Sequence, residues 1–156
     1  MAWNKTITQQ GLNELANLNN NTITFSSAKC GRDFVTTELK DVTTMNNAIK
    51  NMDFISIQTI NDLLCIKLKV NNSGVTEDSD IYQVGIFATN KNGNDFLFAI
   101  FQTDIPTTIP KNTTSNWEKE YDLYLKFSSV DISTINIEAD TQEIEYATEQ
   151  DILNLF

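Results

Sequence analysis

The chain predicts an α+β fold, mostly an antiparallel β sheet or small sandwich, with an N-terminal helix and a short C-terminal helix. Three observations carry that expectation. Two apolar stretches, Ile81 to Ala88 and Asp95 to Phe101, flank Asn90-Lys91-Asn92-Gly93-Asn94, the pattern of a β-hairpin with a glycine-containing loop. Leu64, Ile66, Leu68 and Val70 alternate with polar residues, and so do Tyr121, Leu123, Leu125 and Phe127. Period two is the mark of a strand buried on one face. Leu12, Leu15 and Leu18 recur instead at close to helical spacing.

Each element follows in chain order. Thr6 or Thr8 suits the N-cap of the first helix, since a hydroxyl can accept from the first free backbone N–H groups. Asn19-Asn20-Asn21 ends it. Thr22 to Ser27 reads as a strand with Ile23 and Phe25 turned inward. Gly31 to Asn51 is polar and irregular, with a short helix expected within 37–47. Asp53 to Ile60 and Leu63 to Val70 form an antiparallel pair turning at Asn61-Asp62. Gly85 lies inside the hairpin's first strand, where glycine marks a bulge or a close backbone approach. Pro106 and Pro110 keep Asp104 to Pro110 extended. A last strand is expected over Ile132 to Ala139, and Thr148 with Asp151 opens a helix over Ile152 to Phe156. The domain reading is one β-rich unit over 1–145 and a helical extension over 146–156.

Composition narrows the function. The 156 residues carry a net charge of −10, which disfavours nucleic acid and anionic membrane surfaces, because phosphate binding needs clustered Lys and Arg. Forty per cent hydrophobic content with nine Phe supports a packed core. The absence of His removes the commonest general base and metal ligand. Cys30 and Cys65 read as two small buried hydrophobes, with a disulfide between them left open by the sequence. Met1 to Lys5 shows no apolar signal core, and no segment reaches the ~20 apolar residues of a membrane span. Synthesis in the cytoplasm is expected.

Candidate chemistry is sparse. Glu77-Asp78-Ser79-Asp80 does not follow calcium-loop spacing and reads as a solvated acidic loop. Glu138, Asp140, Glu143 and Glu145 read as a solvated strand end. Ser26-Ser27 and Ser128-Ser129 have no His to activate them. No catalytic residue, cofactor or metal ligand is assigned. Asn20-Asn21-Thr22, Asn71-Asn72-Ser73 and Asn112-Thr113-Thr114 match the glycosylation triplet, read as chance products of Asn and Thr richness. Trp3 and Trp117 are aromatics that can anchor an interface or stack on a sugar ring. Phe96, Phe98 and Phe101, with Leu97, Ala99 and Ile100, make one strand apolar on both faces. Such a strand needs cover from another layer of the domain or from a neighbouring subunit.

With those motifs in order, the chain resembles the N-terminal domain of phage tail-fibre proteins, the tail-collar fibre class. The likeness runs through Lys5-Thr6-Ile7-Thr8-Gln9-Gln10-Gly11-Leu12-Asn13-Glu14-Leu15-Ala16, Ile23 to Gly31, and Val84-Gly85-Ile86-Phe87-Ala88 continued by Phe96 to Phe101. It continues through Tyr121 to Ala139, taken as a closing pair of strands, to the junction Tyr146-Ala147-Thr148. Gln83 stands where the family carries an acidic residue, and Cys30-Gly31-Arg32-Asp33 replaces its Gly-Asp-Gly turn.

The resemblance implies a non-enzymatic virion protein, located in the tail, linking a fibre or receptor-binding protein to the baseplate, usually as a homotrimer. Its implied partners are baseplate and tail proteins and the downstream fibre, with no nucleic acid and no membrane. The candidate interface residues are Trp3, Ile7, Leu12, Leu15, Gly85, Phe87, Tyr146, Ile152, Leu155 and Phe156. The alternative is a β-sandwich module that grips a host cell-wall saccharide.

Overall fold

The computed structural model describes residues 3–16, 22–60, 63–113, 116–126 and 136–139. In chain order the elements are β1 (Asn4–Ile7), α1 (Gln9–Leu15), β2 (Thr22–Gly31), a 3-10 turn (Leu39–Asp41), β3 (Ala48–Ile60), β4 (Leu63–Asn71), β5 (Ser79–Thr89), β6 (Asp95–Ile109), β7 (Glu118–Lys126) and β8 (Asn136–Ala139). The strands follow one path, β1-β6-β5-β2-β3-β4-β7, with β8 joined to β2. The result is a mostly antiparallel sheet curled nearly into a barrel, rather than two packed sheets.

The curl has local causes. Pairing shifts register between Phe25 and Ser27 in β2, between Phe54 and Ser56 in β3, and between Ile86 and Phe87 opposite β6. Each extra residue bends its strand and raises the local twist. β3 divides its pairing, with residues 48–52 on β2 and residues 53–60 on β4, and so turns the corner. The two ends of the path meet where the Trp3 ring packs edge-on against Tyr121, with centroids 5.9 Å apart.

One core fills the interior. Ile23, Phe25, Ala28 and Cys30 face Phe54, Ile66, Leu68, Ile86, Phe98 and Phe101. Phe25 lies between Phe54 and Phe98, at 6.2 and 5.2 Å. The alternation read in β4 and β7 holds, with Leu64, Ile66, Leu68, Val70, Tyr121, Leu123 and Leu125 buried. Phe127 lies outside the described residues.

The central hairpin forms as its sequence demands. Gly93 sits at φ 82°, a left-handed conformation that L side chains resist. The Asn90 side-chain oxygen accepts from the N–H groups of Asn92 and Asn94, at 2.9 and 3.0 Å. That ties the loop locally, as Asn does in turns.

The stretch from Asp104 is extended as expected, and it belongs to β6, because Thr107, Thr108 and Ile109 pair with Ile81, Asp80 and Ser79. Pro106 sits in the irregular part of that ladder, where a missing N–H costs no regular hydrogen bond. Two expectations change. β7 and β8 do not form a closing pair. β7 pairs with β4, and β8 lies parallel to β2. Helix expected within 37–47 is reduced to the single 3-10 turn. The Asn61-Asp62 turn and the helix over Ile152 to Phe156 fall outside the described residues.

Candidate functional site

The residues proposed for an interface are spent largely on the domain itself. Ile7 and Leu15 are buried in the core. Thr8 is the N-cap of α1. Its hydroxyl accepts from the Gly11 N–H at 2.9 Å and donates to the Leu97 carbonyl at 2.5 Å, while its own N–H donates to the Phe98 carbonyl. The helix is thereby welded to β6. A Cβ on Gly11 would run into the Phe98 carbonyl oxygen, so only glycine allows that approach. Leu12 stays exposed and Trp3 is half-buried on Tyr121. Tyr146, Ile152, Leu155 and Phe156 lie outside the described residues.

Gly85 and Phe87 belong to the outer face of β5. In register, Gly85 stands between Lys29 and Ile100, and Phe87 between Ser27 and Leu97. Lys29 places its ammonium 4.9 Å from the Phe87 ring centre. Met45, from the crossover 32–47, lies over Gly85 where a Cβ would otherwise sit. The crossover is closed at its base by the Arg32 N–H donating to the Asn47 carbonyl. It is fastened at its middle by Gln102, whose amide donates to the Val35 carbonyl and accepts from the Val35 N–H, both at 2.9 Å. Gln83 donates to the same Gln102 oxygen at 2.8 Å. The two-faced β6 strand is therefore covered on its outer side by α1 and the crossover of the same chain.

The acidic loop is structural too. Asp80 accepts from the Thr108 hydroxyl and Asp78 from the Lys111 N–H, which pins the start of β5 to the end of β6. Among the described residues no group of three His, Cys, Asp or Glu could hold a metal ion. No helix among them is long and apolar enough to cross a membrane. Both thiols are free. Cys30 is buried, and loss of hydration pushes its thiol up to about 11. Cys65 departs from the expected burial, since it points to the half-open outer face of β4.

A cleft of about 500 Å³ opens where β4 ends and β7 begins. Asn71, Asn72, Ser73, Asn112, Asn116, Trp117 and Glu118 line it. Asn72 builds it. This buried amide donates to the Pro110 carbonyl at 3.1 Å and accepts from the Trp117 N–H at 3.0 Å, so one side chain joins three chain segments. Trp117 packs partly against the core and spends the rest of its surface on the cleft. The Asn71 oxygen accepts from Lys50 and from the Ser73 N–H, which fixes the orientation of its amide. Sequence reading singled out Trp117 but took the cleft's two Asn triplets as chance. The missed signal was that one Asn-rich turn closes β4 and the other, after the β5–β6 hairpin, opens the connection leading into this Trp.

Compared with known proteins, the chain matches no family model, no curated protein and no solved structure.

Proposed function

We propose that this chain is a non-enzymatic structural domain of a phage tail, an attachment module joining a fibre or receptor-binding protein to the baseplate, and that it acts as a homotrimer. One observation supports the reading beyond the ordered likeness of its motifs. The first three segments bearing that likeness are neighbours in space, because β1 and α1 lie on β6, β6 on β5, and β5 on β2, whereas β7 lies apart on β4. The motif glycines Gly11 and Gly85 both sit where a side chain would collide. Leu12 and the open part of Trp3 form the baseplate-facing element. Tyr146, Ile152, Leu155 and Phe156 form the exit toward the distal fibre or the trimer axis.

Immunogold labelling of virions from the phage that encodes the chain tests the location. Label on the tail is expected, and unlabelled particles would remove the reading. Light scattering coupled to size exclusion tests the assembly, with a mass of three chains expected and a monomer counting against the trimer. Leu12→Asp separates docking from folding. Stability should stay within about 0.5 kcal/mol, as for most surface substitutions, while incorporation into tails falls. Full incorporation would take α1 out of the docking surface.

A further inference from the structure

The cleft between the end of β4 and the start of β7 has a chemistry that the attachment reading does not use. We propose that it binds a neutral saccharide unit, with the Trp117 ring as its apolar floor and the amides of Asn71, Asn112 and Asn116 as its polar walls. This goes beyond the attachment reading and stands whether or not the chain joins a tail.

The argument starts from the partners these groups lack. The side chains of Asn112 and Asn116 are exposed and make no hydrogen bond with any described residue. Asn71 is held through its oxygen by Lys50 and Ser73, which leaves the NH₂ end of the amide for a ligand. A carboxamide offers two donors and an acceptor on one plane. Sugar hydroxyls are themselves both donors and acceptors, so adjacent pairs of them match such amides. Charge points the same way. Among the described residues Glu118 is the one ionisable group lining the cleft, and it faces Lys69 at 3.8 Å. The neighbouring Lys50 ammonium is engaged by the Asn71 oxygen and the Ser73 carbonyl, so each of these charges already has a partner.

The floor supplies the rest. Trp offers a broad apolar surface with a polar tip, suited to a site wet on one side. A pyranose presents a patch of C–H groups on one ring face, which can lie on such a surface. The volume of about 500 Å³ falls within the usual range for small-molecule sites. Preorganisation comes from Asn72, which fixes Trp117 and the Pro110 segment to the end of β4 before any ligand arrives. That lowers the ordering cost of binding. Asn72 is thus a positioning residue.

The test is a nitrogen-15 NMR titration of the full chain with glucose, galactose, mannose and N-acetylglucosamine, each taken into the millimolar range. Saturable shifts are expected at the Trp117 indole N–H and at the side-chain amides of Asn71, Asn112 and Asn116, with at least one of these sugars. Asn112→Ala and Asn116→Ala remove exposed side chains and should leave the remaining spectrum intact. Each is expected to weaken binding about three- to tenfold, the worth of one ordinary hydrogen bond. Three results would overturn the proposal: no saturable shift with any of the four, shifts centred elsewhere on the barrel, or undiminished binding in both variants.

Discussion

The outer faces of β5–β6 and of β4–β7 belong to one sheet, yet they solve the same problem in opposite ways. On β5–β6 the outward row holds Gly85, Phe87, Leu97 and Ile100, and the chain doubles back to cover it with α1 and the crossover 32–47. On β4–β7 the outward row holds Cys65, Lys67, Lys69, Asp122 and Tyr124, and it stays open to solvent or nearly so. The lesson is about where stability resides. A strand with two apolar faces requires a second layer and tight fits, whereas an alternating strand needs only its inner face filled.

The contrast can be broken most severely at the helix contact. Gly11→Val should destabilise by about 4 kcal/mol in a urea melt, because the obstacle is the Phe98 carbonyl, which cannot rotate away. Gln102→Leu comes next, at about 3 kcal/mol, since it strands the buried Gln83 amide and both backbone groups of Val35. Amide exchange at Val35 should quicken more than at the hairpin core.

The two thiols sharpen the contrast through pH. The Cys30 thiol is raised from an ordinary 9.0 to about 11. The unfolded chain therefore loses its proton first, and stability falls as pH rises from about 9 to about 11. The integrated loss is about 2–3 kcal/mol, and Cys30→Ala should remove that slope. A thiol reagent at neutral pH should label Cys65 in the folded protein and Cys30 only on unfolding. Met45→Ala opens a gap over Gly85 and should cost about 2 kcal/mol. Lys67→Ala on the open face should cost under about 0.5 kcal/mol, because the 3.9 Å pair with Asp122 is solvent-exposed.

These differences also explain what the sequence could disclose. Alternation in β4 and β7, the Asn-Gly loop and the Thr8 cap are local signals, and each sits where the residues place it. The two-faced strand announced that a cover was needed but not which one. The answer lay in Val35 and Met45, inside a polar stretch without periodicity. Val35 is held by a buried glutamine far along the chain, and Met45 has its place because Gly85 leaves room for it. Barrel curvature was equally hidden, because it comes from register shifts that leave no compositional mark. In the cleft, Trp117 was legible as a candidate. Its neighbours were not, since Asn71 comes beside it only through the pairing of β4 with β7, and the segment carrying Asn112 is drawn in by the Asn72 bond to Pro110.

The parallel partnership of β2 and β8 has a kinetic meaning. Residues 22–25 leave the ribosome more than a hundred residues before the strand they pair with on that side, residues 136–139, the last of the described chain. Pairings so distant in sequence place the protein among slow folders of high contact order, maturing in about milliseconds to seconds rather than microseconds. Throughout that wait the early end of β2 keeps an unsatisfied backbone edge beside Ile23 and Phe25. Newly made chains are therefore most open to mispairing with one another before β8 has been synthesised.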